Sequence, residues 1–212
     1  MFTKDRDLLA LEPALFRDVA WIAQRLVRGT GTIAGTTLTL ATADTTLEAA
    51  GVTTGHVLSY DNVALEVVER LSATTATVSR PRPDPDDPPI PPAPSAANLL
   101  AEITTFAPQI AIIHDQLLRM LGIDPADPGA EITETNITNP RSLILPEALG
   151  ALHLIYTAAA APQRRDGPLA ERADMYRRRY AQERQRTVVR LDLDNDAIAD
   201  ATRRFSVAQL LR

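Results

Sequence analysis

Residues 190–205 read RLDLDNDAIADATRRF, with Asp192, Asp194 and Asp196 alternating and Asp200 following. That spacing approaches the one by which a loop wraps a calcium ion. Such loops offer oxygens at alternate positions because the cation takes about six to eight of them at roughly 2.3–2.6 Å, and they need a glycine after the third acid for a sharp turn. Here Ala197 holds the glycine position and no glutamate closes the loop, although Asp200 fills the ninth place. The competing reading is a strand TVVRLDL, then an Asx-rich turn capping a short helix that starts near Ala197. The second reading fits better, so no metal is assigned; Asp192, Asp194, Asp196 and Asp200 remain the candidates for one.

Catalytic chemistry has less to work with. His56 heads an alternating run, and His114 and His153 stand inside apolar, helix-like segments, where a satisfied core histidine is the ordinary outcome. The chain has no cysteine, which removes disulfides, thiolate metal sites and thiol catalysis together. No glycine-rich phosphate loop or nucleophile elbow is present either. The expectation is a protein that is not an enzyme and has no cofactor.

The other chemical feature is basic. Between Arg164 and Arg190 stand nine arginines against four acids, a local surplus of five on a chain whose net charge is −5 and whose only lysine is Lys4. Overall acidity argues against DNA binding by the surface as a whole. The run YRRRYAQERQR therefore reads either as a local surface for phosphates or an acidic partner, carried by Arg172, Arg177, Arg178, Arg179, Arg184 and Arg186, or as a solvated helix face laced to Glu171, Asp174 and Glu183.

The elements that position these groups fall into successive stretches. Residues 1–28 carry apolar residues at helical spacing (Leu15, Val19, Ile22, Leu26), broken at Glu12-Pro13 into two helices. Residues 29–80 alternate, as in Leu38/Leu40, Leu65/Val67 and Ala76/Val78, with Asp61-Asn62 placed as a hairpin turn, so they predict a small antiparallel β-sheet or barrel of about four or five strands. In residues 81–94 eight of fourteen are proline, which predicts a stiff polyproline strap, and the linker is drawn at 81–95. Residues 96–200 read as a helical bundle, with a break at Pro108, a stop at Gly122, Pro146 in the first turn of a second helix and Pro168 opening a third. The connection containing Asn136-Ile137-Thr138 reads as a polar loop rather than a glycosylation site. The longest apolar run, residues 151–161, is too short to span a bilayer. The fold class is thus α+β: a helical bundle with an inserted small antiparallel sheet or barrel, a proline-rich strap and, at 201–212, an extended C-terminal arm.

Two stretches carry a resemblance. The run PLAERADMYRRRYAQERQRTVVRLDLDNDAIADATRRF, preceded by FAPQIAIIHDQLLRMLGID and ALHLIYTAAAA, resembles the head–tail connector (adaptor) proteins of tailed bacteriophages, and DLLALEPALFRDVAWIAQRLVRGTGT followed by a Thr-rich sheet is similar to phage connector-region proteins. The inserted β module and the proline strap depart from that pattern. The resemblance implies a structural virion protein of the neck, assembled in the bacterial cytoplasm as a ring, usually twelve-fold, beneath the portal. Its partners would be the portal protein, its own copies, a tail or next neck protein, and DNA passing through without sequence readout, with no membrane. It further implies a portal-docking arm, here Phe205, Val207, Leu210 and Leu211, and an arginine helix near the DNA channel. Another neck or tail-completion protein, or a calcium-dependent binding module, is the alternative.

Overall fold

The computed structural model describes residues 1–93, 97–127, 129–162, 167–194 and 196–205. They form two units, Lys4–Phe106 on one side and Met1–Thr3 with Ala107–Arg212 on the other.

The first unit is a closed antiparallel barrel. Its strands are β1 (Arg25–Ala34), β2 (Thr37–Ala43), β3 (Val57–Tyr60), β4 (Val63–Arg70), β5 (Thr75–Ser79) and β6 (Leu99–Thr104), joined in the order β1-β2-β5-β4-β3-β6. The alternation in the sequence is the alternation of faces: Leu38, Leu58, Leu65, Val67, Ala76, Val78, Ala101 and Ile103 fill the interior, while Thr37 pairs with Thr77 and Thr39 with Thr75 across neighbouring strands. Asp61 and Asn62 both take positive φ, 50° and 60°, as a two-residue hairpin turn demands, and Tyr60 faces Val63 across it. Closure needs β1 to bend between β2 and β6. Its register slips at Thr30/Gly31, and a Cβ added at Gly29 would stand 1.9 Å from the Thr42 carbonyl oxygen, so only glycine fits this close crossing.

This architecture overturns the expected helical bundle with a small inserted sheet: the described residues form a six-stranded closed barrel and five α-helices. Two segments account for the error. Helical spacing over residues 15–28 is coincidental, since α1 (Asp5–Leu11) and α2 (Leu15–Asp18) are short, Ile22 is 81% exposed, and Arg25 onward is strand. Leu99–Thr104 looks like the start of a helix but buries Ala101 and Ile103 alternately and closes the barrel between β1 and β3. The proline strap therefore joins two strands of one barrel. It loops out and returns, with Arg80 N–H donating to the Ile90 carbonyl at 3.0 Å and Ile90 N–H to Ser79 Oγ at 2.8 Å.

Buried charge fixes both the strap and α1. Glu66 of β4 has no exposed surface; Arg6 Nε donates to its Oε2 at 2.5 Å and Arg82 Nε, from the strap, to its Oε1. Arg6 Nη2 also donates to the Arg82 carbonyl at 2.7 Å, so one carboxylate clamps helix, strand and strap. At the start of α1, Asp5 Oδ1 accepts from Phe106 N–H at 2.7 Å and joins the two ends of the unit.

The second unit holds α3 (Ala107–Met120), α4 (Arg141–Ala160), α5 (Pro168–Arg186) and a hairpin of β7 (Val188–Leu191) and β8 (Ala201–Arg204). Pro108 lies in the first turn of α3 instead of kinking it, Gly122 ends that helix at φ +72°, and Pro168 opens α5 as expected. Pro146 stands inside α4, which begins five residues earlier. Among the described residues α4 is the one helix long and apolar enough to cross a membrane; 61% of its most apolar window is buried within the unit, and that burial accounts for its composition. Close packing of α4 on α3 and α5 passes through Gly150, where a Cβ would meet Ile113 Cγ2 at 2.7 Å and the Tyr180 ring at 3.1 Å.

Residues 201–205 form no free arm. Ala201–Arg204 pair with Val188–Leu191, and Phe205 packs against the cluster of Leu118, Leu121, Ile123, Leu143, Val189 and Leu191. A phenylalanine at the end of β8 with a core beside it folds into that core, because exposing it would cost the transfer energy of an aromatic ring. Val207, Leu210 and Leu211 lie outside the described residues.

Two outcomes are expected. Glu66→Gln leaves buried Arg82 without its carboxylate and Arg6 with only the longer contact to Asp7 at 3.9 Å, and should destabilise the barrel by about 3–5 kcal/mol in urea denaturation, whereas Arg17→Ala on the exposed α2 pair with Asp18 should change it by less than about 1 kcal/mol. Burial pushes the Asp5 carboxyl up to about 6 despite hydrogen bonds from Thr105 and Phe106, so the folded state holds this proton more tightly than the unfolded chain. Its contribution is complete below about pH 4 and is lost as pH rises through about 6, so Asp5→Asn should leave stability near pH 4 almost unchanged and raise it, on the order of 1–3 kcal/mol, at pH 7–8.

Candidate assembly surface

The arginines of α5 separate into two sets once the helix is in place. Ala173, Tyr176 and Tyr180 form its buried stripe, and the Tyr176 ring stacks on Tyr156 of α4 at 5.7 Å with 4° between the planes. Three arginines lie on those rings: Arg172 over Tyr156 at 5.6 Å, with Nη1 donating to its hydroxyl at 3.1 Å, Arg179 over Tyr176 at 5.6 Å, and Arg184 over Tyr180 at 4.8 Å. Arg172 thereby ties α5 to α4, while Arg179 and Arg184 cover rings of their own helix, each contact worth on the order of 0.5–2 kcal/mol. The outward set is Arg177, paired with Asp174 at 3.2 Å, and Arg178 and Arg186, which make no hydrogen bond or ion pair with a described residue. The basic run is thus half internal fastening and half surface.

The hairpin extends that surface. Val189 and Leu191 of β7 and Ala201 of β8 point into the core, and Arg203 joins them on that side, donating through Nη1 to the Leu121 carbonyl. The opposite face carries Val188 and Arg190 beside Thr202 and Arg204, with both arginines exposed and without an ion pair to any described residue. Asn139 seats the outer edge of β7 through bonds to Arg190 N–H at 2.8 Å and to the Val188 carbonyl at 2.9 Å, and Asn136, buried at 5% exposure, donates to the Asp192 carbonyl at 2.8 Å. The polar loop of the sequence is therefore the brace of this hairpin.

At the other end of the hairpin is the acidic loop. Carboxylate oxygens of Asp192, Asp194 and Asp200 lie within 4.8 Å of one another, while Asp196 points elsewhere and accepts from Ile198 N–H at 2.7 Å. Ala197, at the glycine position of a calcium loop, takes φ +67°, a conformation that costs an alanine about 1 kcal/mol. The acids also serve the loop itself: Asp192 Oδ2 accepts from Ala197 N–H and Asp200 Oδ2 from Leu193 N–H, both at 2.8 Å. Partial desolvation in the loop and the charges of Asp196, Asp200 and Asp192 hold the Asp194 carboxyl above the usual range. Two apolar side chains flank it in the open, Leu193 at 42% exposure and Ile198 at 66%.

The histidines occupy three unrelated places. His56 Nδ1 accepts from Thr53 N–H at 2.9 Å, and burial lowers its pKa; His153 Nδ1 lies 3.1 Å from the Ala173 carbonyl. His114 is bonded on both sides, Nδ1 to Glu147 Oε1 at 2.7 Å and Nε2 to Glu134 Oε2 at 3.2 Å. The residue that sequence reasoning missed is Glu147. It is wholly buried in α4, and its other oxygen accepts from Phe2 N–H at 2.9 Å and from Thr3 N–H, which anchors the first residues to the helical unit. Its signal was present as a single charge in the apolar run LPEALGALHLIY, whereas His114 stood beside Asp115 and Gln116 and was not singled out by its neighbours. One cleft, of about 400 Å³, lies in the barrel unit between the β3–β4 turn and the strap, lined by Tyr60, Val63, Leu65, Arg80, Pro81 and Pro92. It has one exposed cation and one exposed acid, Asp61, and no arrangement for proton transfer or nucleophilic attack.

No family model, curated protein or solved structure matches this chain.

His114 gives a pH test of this centre. Burial works against its positive charge, but the hydrogen bond and charge of Glu147 and the charge of Glu134 outweigh it, so the pKa is raised above 6.5. Its stabilisation is full below about pH 6.5 and declines as pH rises through the folded-state value. His114→Gln should remove that decline from the stability–pH curve, read by chemical denaturation from pH 5 to 9, while the variant stays folded.

Proposed function

We propose that this chain is a head–tail connector subunit of a tailed bacteriophage, which forms a ring under the portal and guides DNA between head and tail. The observation that carries the proposal is the arrangement of α5: tyrosines fasten the helix to α4 while Arg177, Arg178 and Arg186 face outward, and an extended hairpin follows directly. This gives the Arg- and Tyr-rich helix and extended C-terminal segment of the connectors a physical form. A cationic face next to passing DNA acts through phosphates without reading bases. The seven residues after Phe205, SVAQLLR, carry Val207, Leu210 and Leu211, and these are the residues assigned to the portal. The barrel, with its threonine-lined outer face, is assigned to the next neck or tail protein.

The test is native mass spectrometry of the chain co-expressed with the portal protein of the same genome, beside a truncation after Phe205 that spares the hairpin and its core. A complex with many copies of this chain per portal, lost in the truncation, is the expected result. Absence of a complex with the full chain overturns the reading.

A further inference from the structure

The hairpin is polar along its length. One end is an acidic tip, with Asp194, Asp196 and Asp200 exposed and the apolar Leu193 and Ile198 beside them. The strands that lead to it carry arginines on their outward face, Arg204 opposite Val188 at the far end and Arg190 opposite Thr202 one pair from the loop end. Neither set is neutralised among the described residues: no ion pair joins Arg190 or Arg204 to Asp194, Asp196 or Asp200, and the four residue pairs of the hairpin span about 10 Å. The brace at Asn136 and Asn139 and the bond from Arg203 to Leu121 hold the hairpin to the core, so the tip cannot fold back on its own arginines.

We propose that this hairpin is a head-to-tail contact between copies of the chain, in which the acidic tip of one copy sits on the Val188–Arg190–Arg204 face of the next. Charge complementarity selects the occupant: the face needs two or more carboxylates with a small apolar flank, and the tip presents that set. Leu193 and Ile198 then lose water against Val188 and the aliphatic stems of the arginines. Each copy gives with its tip and receives with its face; where giver and receiver are different neighbours the contact is heterologous, and a repeated rotation closes a ring. This deepens the connector reading and rests on it for its setting.

The absence of cysteine makes the contact directly measurable, because introduced thiols are the only ones. Ile198→Cys and Val188→Cys variants of the full chain are purified separately, mixed and oxidised at low salt. The mixed disulfide should exceed either homodimer by about tenfold and lose that advantage at high salt. Arg190→Glu with Arg204→Glu in the Val188→Cys chain should abolish the preference, and Asp194→Lys with Asp196→Lys in the Ile198→Cys chain should restore it. Homodimers as abundant as the mixed species, or a preference indifferent to the reversals, overturn the proposal. Calcium is added in a parallel arm: a melting shift with calcium, together with indifference to arginine reversal, gives the loop to the cation and overturns the contact. Failure here is separable from failure of the connector reading. A specific mixed disulfide without a portal complex sinks the latter alone, and a portal complex whose copy number ignores the arginine reversals sinks only the contact.

Discussion

A carboxylate shut away from water must be neutralised where it stands, and each unit is organised around one. In the barrel unit it is Glu66, with Arg6 and Arg82 on its two oxygens. In the helical unit it is Glu147, with His114 on one oxygen and the amides of Phe2 and Thr3 on the other. Burying an ion costs several kcal/mol that Coulomb attraction offsets only with close geometry, so these centres add little net stability. What they impose is arrangement. Arg82 can reach Glu66 only if the strap turns back on the barrel, and the Phe2 and Thr3 amides reach Glu147 only if the first residues lie along α4.

The same logic governs the arginines at the surface. A guanidinium spread over a tyrosine ring keeps its charge partly hydrated while covering apolar area, which is how Arg172, Arg179 and Arg184 serve packing. Lysine would not replace them, since its compact ammonium is more strongly hydrated and lacks the flat face. Packing thus consumes three charges of the basic run, and the outward charge that remains continues into Arg190 and Arg204 of the hairpin.

Much of the barrel was legible because a period of two in burial leaves a period of two in residue type: Leu38, Leu65, Ala76 and their neighbours mark the inner face, and Asp61-Asn62 marks a turn. Its closing strand was not. Leu99, Leu100, Ala101 and Ile103 satisfy helical and alternating templates alike over so short a span, and the adjoining helix of residues 107–120 lent its pattern to them. The strap misled for another reason: proline content reports local stiffness, whereas the return of Ile90 to Ser79 is a tertiary hydrogen bond. At the candidate surface the acids were visible from their spacing, and three of the four were brought together. The arginine face was hidden, because Arg190 and Arg204 lie fourteen positions apart and meet only through the β7–β8 register.

That register also decides what kind of assembly the hairpin can support. Had the acids and arginines occupied one face of each strand in alternation, their charges would have paired across the two strands and left nothing for a neighbour. Instead the loop gathers the acids at its tip, where partial desolvation and then mutual repulsion raise Asp194, and the strands carry the arginines on their outward face. A two-fold dimer could satisfy both ends only by laying two hairpins antiparallel, and the Asn136 and Asn139 brace along the outer edge of β7 stands in the way of such pairing on that side. Separated charge on a rigid, one-sided element therefore favours a contact that repeats in one direction. Closure into a ring then depends on the angle at which each tip meets the next face.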